Sequence, residues 1–132
     1  MSLVRRTFLA LPALLLLPWR ALGFGDSTRV DIGELNLGQQ GASRARGWKR
    51  LLYEVKQTTS VECEARVQSV RPVAEELFSH PFVVLQGSGA FTLPSESELE
   101  QIARFLSYGG FLFIDDTSGR RTSAFDASVR QL

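Results

Sequence analysis

Four features of the chain have residue types that could do chemistry. Asp115 and Asp116 are adjacent carboxylates at the end of an apolar run, Gly87-Ser88-Gly89 closes another such run, His80 is the only histidine and Cys63 the only cysteine. Paired carboxylates suit a general base or a divalent cation, and a glycine-flanked turn lets backbone amides approach an anion closely. Adjacent residues leaving a strand point to opposite sides, so at most one aspartate is expected to face a shared pocket. The other is free to cap a turn through Thr117 to Gly119. The further oxygen ligands that a metal would need are not identifiable from the sequence, which leaves both metal and cofactor unknown.

Several mechanisms are excluded by spacing. The segment after Gly87-Ser88-Gly89 has no Gly-Lys-Ser/Thr, and the next helix signal comes only at Ser95, so this is neither a phosphate loop nor a dinucleotide fingerprint. It is not a nucleophile elbow, because Gly-x-Ser-x-Gly is absent. His80 precedes the apolar run that Ser88 follows, which separates them by roughly 20 Å at about 3.3 Å per residue, too far to share a proton. A histidine beside Pro81 at a strand entrance reads as structural or solvated. Cys63 lies on the apolar side of an alternating segment with no histidine or helix start near it, so it reads as a buried small hydrophobe.

These residues need elements to hold them. Phe82 to Leu85 and Phe111 to Ile114 are continuous apolar runs, as expected of strands buried on both faces. Between them Leu99, Ile102, Ala103 and Leu106 recur at helical spacing, which predicts an apolar stripe lying on the sheet. Ser95 and Glu98 have capping-box spacing, and Gly109 or Gly110 supplies the stop. A crossover of this length joins parallel strands, so both end at one sheet edge.

Upstream, Arg29 to Leu37 reads as a first strand whose phase slips at Gly33. A bulge there would reconcile the two halves, and burial on both faces would make reconciliation unnecessary. Gly38 to Gly47 reads as a loop, and Trp48, Leu51, Leu52 and Val55 as a helical stripe opposite a solvated face of Lys49, Arg50 and Lys56. Ser60 to Gln68 alternates strictly, with Val61, Cys63, Ala65 and Val67 on one side, which predicts an edge strand. Pro72 to Phe78 is a short helical turn, and Phe125 to Leu132 looks like a helix beginning. The expected fold is α/β: a three-layer sandwich around a mostly parallel, doubly wound, flavodoxin-like sheet. A fifth strand and closing helices are expected of such a sheet, so the chain is expected to be incomplete at its C-terminus. Ligands bind such sheets beyond the strands' carboxyl ends, where the Gly38 to Gly41 loop, Gly87-Ser88-Gly89 and Asp115-Asp116 should converge.

The N-terminus carries a different signal. Arg5 and Arg6 precede an uncharged run from Thr7 to Trp19, and Ala21-Leu22-Gly23 fits a peptidase site, so residues 1–23 read as a cleaved signal peptide and 24–28 as a linker to a domain over 29–132. The run is shorter than the roughly 20 residues of a membrane helix, which confines membrane contact to export. VRRTFLAL resembles a twin-arginine signal at Arg5, Arg6, Phe8 and Leu9, with Val4 and Ala10 departing from the usual hydroxyl and lysine. Cleavage would remove three of the 15 basic residues and none of the 14 acidic ones, leaving a net charge of −2. That charge gives no electrostatic case for nucleic acid. One cysteine allows no intramolecular disulfide even in an oxidising compartment.

The order HPFVVLQGSGAF, LPSESELEQIARFLSYGGFLFIDD and FDASVRQL closely resembles the bacterial domain of unknown function 4159, and RVDIGELNLG with the Trp48 helix matches its opening. The resemblance implies a flavodoxin-like sandwich akin to class I glutamine amidotransferase-like domains, usually envelope-associated. The family's domain ordinarily continues through an aspartate-histidine-proline stretch and later aromatic segments. The amidotransferase nucleophile has no counterpart here, since Cys63 lies within a predicted strand. The expectation is an exported, non-catalytic binding or interaction module of the cell envelope, its partner a small ligand, a glycan or an envelope protein. The rival is a hydrolase that uses Asp115 or Asp116 as base or metal ligand.

Overall fold

The computed structural model describes residues 29–41 and 43–132. The signal peptide expected over 1–23, with Arg5, Arg6, Phe8 and Leu9, and the linker 24–28 lie outside the described residues. Within them run β1 (Val30–Leu35), α1 (Ala45–Thr58), β2 (Cys63–Val70), α2 (Ala74–Leu77), β3 (Phe82–Gly87), α3 (Glu96–Ser107), β4 (Phe111–Asp116) and α4 (Ala124–Val129). The four strands form one parallel sheet in the order β2-β1-β3-β4. Those are the first four positions of the flavodoxin-like order, with the reversal of strand order between β1 and β3.

Helices cover both faces. On one, Leu52 of α1 packs on Ile32, Cys63 and Val84, with Trp48 and Phe82 against them. On the other, Leu77 of α2, Ile102 and Phe105 of α3 and Phe125 of α4 pack on Leu35, Val83 and Leu85. Val83, Val84 and Leu85 are fully buried, as their unbroken apolar run predicts. β2 is an edge strand, as expected, but the strict alternation does not hold in it: Val61 precedes the strand and is 44% exposed. The strand runs on to Val70, and Ala65 is exposed at a register shift where Val30↔Cys63 gives way to Ile32↔Val67. Four residues of β2 therefore span two of β1 there.

Gly33 itself stands in regular register with Gln68 and Val83. No bulge is needed at it, because β1 is covered on both faces. Glycine is required for a different reason. A Cβ on Gly33 would lie 2.8 Å from Val70 Cγ2 and 3.2 Å from the Cβ and Cγ of His80, whose ring is seated over it.

Two further expectations are corrected. The Phe111–Ile114 run is not buried on both faces: among the described residues β4 pairs only with β3, Phe111 and Phe113 are 54% and 40% exposed because α1 lies over the other half of the sheet, and Ile114 is 41% exposed on the opposite, α3 face. The stripe on α3 is also rotated. Ile102 and Phe105 make the buried contact, while Leu99, Ala103 and Leu106 line an apolar groove of about 590 Å³ along β4 with Leu112, Ile114, Val129 and Leu132.

The signals that bound α3 act as the sequence implies. Ser95 Oγ accepts from the Glu98 amide at 3.4 Å, and Glu98 Oε2 accepts from the Ser95 amide at 2.7 Å. The two bonds satisfy orphan donors at the helix start. Gly109, at φ 93°, ends the helix, with the Gly110 amide on Phe105 O and the Gly109 amide on Leu106 O, the paired bonds of a Schellman stop. Replacing Ser95 with alanine should cost about 1 kcal/mol. The check is a lower urea midpoint at an unchanged denaturant slope.

Candidate functional site at the carboxyl ends of the strands

The strands' carboxyl ends carry two separate arrangements. In the crevice between β1 and β3 the loops close on each other. The Ser88 and Gly89 amides both donate to Gln40 O, at 2.8 and 3.2 Å, so the turn after β3 is bonded to the loop after β1. Gly41 adopts φ 131°, and a Cβ there would lie 2.8 Å from Ser88 N, which leaves glycine as the residue that fits. Gly87 is buried, and its free face meets the Phe125 ring.

Asp115 and Asp116 separate to the two faces of the sheet. Asp116 accepts from the Ser118 amide at 2.8 Å through Oδ1 and from Ser123 Oγ at 2.5 Å through Oδ2. Ser123 in turn accepts from the Asp126 amide and caps α4, so Asp116 folds the loop 117–123 and seats that helix. The hydroxyl of Ser123, then the side chain and amide of Ser118, hold the Asp116 carboxyl below its usual 3.8. Asp115 lies on the α1 face and pairs with Arg44 at 3.2 Å, its side chain 22% exposed.

Around Asp115 stand residues that the sequence alone does not single out. Gln86 is 3% exposed and ties three elements together. Its Oε1 accepts from Trp48 Nε1 at 3.1 Å, and its Nε2 donates to Glu34 Oε1 at 2.8 Å and to Ser43 Oγ at 3.3 Å. Ser43 donates to the second oxygen of Glu34 at 2.7 Å. The indole is thereby locked in place, edge-on to Phe113 with centroids 5.5 Å apart. Arg44, Gly47, Trp48, Leu51, Phe113 and Asp115 then line an open cleft of about 300 Å³. An amide inside an otherwise apolar buried strand was the signal for this network, and only the strand order tells which helix it would bind.

Chemically the cleft offers an aromatic wall beside an arginine–carboxylate pair, which suits a ligand with an apolar face and hydroxyl edges. Among the described residues no three His, Cys, Asp or Glu side chains come together as a metal site, and no helix is long and apolar enough to cross a membrane. Cys63 is a buried free thiol packed among Ile32, Leu52 and Val84.

Fold and site together define an α/β protein with an open parallel sheet and a cleft at its carboxyl edge. The chain belongs to the family described as Domain of unknown function (DUF4159), whose model matches residues 30–132. No curated protein matches it.

The two aspartates should respond differently to substitution. Because the bonds to Asp116 depress its carboxyl in the folded state, the stability they give is present above pH 3.8 and lost as the pH falls through the depressed value. Asp116→Asn should therefore be less stable than the parent at pH 7. The gap should narrow below pH 3.8 in denaturation midpoints followed from pH 7 to 2.

Proposed function

We propose that this chain is an exported binding module of the bacterial cell envelope that takes a glycan-like ligand in the cleft between α1 and β4. The observation that carries this is the Trp48 indole, fixed by Gln86 and presented beside the Arg44–Asp115 pair at the carboxyl edge of the sheet. Sugars offer an apolar C–H face to an aromatic ring and hydroxyls to charged groups, and a flat aromatic wall with a polar rim meets both. The arginine-led apolar run of residues 1–23 supports export.

Binding is favoured over hydrolysis by the engagement of the carboxylates. Asp116 has both oxygens in structural hydrogen bonds, and Asp115 is held by Arg44. Among the described residues Asp115 is the one carboxylate that lines the cleft, with no second lining it to share acid and base roles.

Trp19 and Trp48 are the only tryptophans, so Trp19→Phe makes Trp48 the sole indole reporter. Its emission should change saturably on titration with soluble envelope glycan fragments. Asp115→Asn should weaken that binding about tenfold, or about 1.4 kcal/mol. An unmoved emission across the glycan panel would overturn the ligand class. Glycan turnover that Asp115→Asn abolishes in a folded protein would overturn the binding role.

A further inference from the structure

The opposite edge of the sheet holds a second constellation, built around the lone histidine. His80 and Asp31 are 7% and 8% exposed, and His80 Nδ1 lies 2.8 Å from Asp31 Oδ1. Gln68 Nε2 donates to the other oxygen, Oδ2, at 3.2 Å. A carboxylate that accepts at both oxygens fixes the tautomer: Nδ1 carries the hydrogen. Nε2 is then the ring's remaining polar atom, and among the described residues it has no hydrogen-bond partner. The ring lines a cavity of about 580 Å³ with Arg29, Asp31, Glu64, Arg66 and Gln68.

The ring is nine-tenths buried and pinned at one nitrogen, and its other nitrogen, without a protein partner among the described residues, opens into the cavity where a solute can reach it. The charges around it are nearly balanced. Asp31 of β1 is engaged with the ring, and Glu64 of β2 pairs with Arg66 at 3.4 Å. Glu76 of α2 is bound to Arg71. Arg29 has no carboxylate partner among the described residues. With the imidazole neutral the cavity's two arginines offset its two carboxylates, and one proton on His80 leaves a net positive charge.

We propose that this cavity is a second binding site, for a small oxyanion of the carboxylate or phosphate class, and that His80 Nε2 takes up a proton as the anion binds. In the bound state Nε2–H donates to the anion while Arg29 and Arg66 face it from the rim. Gly33 serves the site by leaving room for the ring.

Because His80 is the only histidine, its ring resonances need no assignment by mutation. The test follows them by long-range 1H–15N correlation in the full-length protein from pH 5 to 8. The titration is run in chloride alone, with inorganic phosphate and with acetate, at constant ionic strength. Anion preference for the protonated ring raises its midpoint by about one pH unit for each tenfold difference in affinity. At least one of the two anions should produce such a rise, and which one does so distinguishes a phosphate from a carboxylate ligand. The double variant Arg29→Gln/Arg66→Gln changes exposed side chains; it leaves two carboxylates unpaired by arginine and so moves all three midpoints up together, and should abolish the difference between the anion salts and chloride. Midpoints that coincide in all three salts would overturn the proposal, as would an anion-dependent rise that the double variant retains.

Discussion

The structure depends on the burial of β3. Val83, Val84 and Leu85 are completely excluded from water, so both faces of this strand must be covered by helices and both its edges paired with strands. With no water to satisfy the backbone there, the parallel ladders to β1 and β4 are obligatory. Polar side chains are then confined to the ends of the strand. At the carboxyl end Gln86 stays buried by bonding to Trp48, Glu34 and Ser43, and at the amino end His80 stays buried by bonding to Asp31. The two constellations solve one problem, a polar group at each boundary of an apolar layer.

Much of the architecture was legible because local signals agreed with the global fold. The apolar run of β3, the capping box at Ser95 and Glu98 and the glycine stop at Gly109 act within a few residues and are readable without knowing what packs against them. Reasoning failed where burial depends on distant parts of the chain. Phe111 to Ile114 is as apolar as Phe82 to Leu85, yet β4 lies at an edge and stays half open, and periodicity carries no record of strand order. The rotation of α3 has the same origin, since Phe105 and Leu106 differ only in which side of the helix meets the sheet.

The candidate sites divide along the same line. Topology correctly brought the loops after β1, β3 and β4 to one rim, with Asp115 and Asp116 on opposite faces. The partners were not readable: Glu34 and Gln86 are 52 residues apart, and Asp31 and His80 are 49 apart. In both pairs the visible clue was a polar residue inside a strand, at Glu34 and Gln86 in one and at Asp31 in the other. Such a residue marks a network without saying who completes it.

The open flank of β4 gives the cleft two walls of different character. Glu34, Gln86 and Trp48 stand on or against β1 and β3, which are enclosed by strands on both sides, whereas Phe113 and Asp115 belong to a strand with one neighbour and exposed aromatic rings. Among the described residues the Arg44–Asp115 ion pair joins these two walls, so the mouth of the cleft is held by a contact that salt weakens.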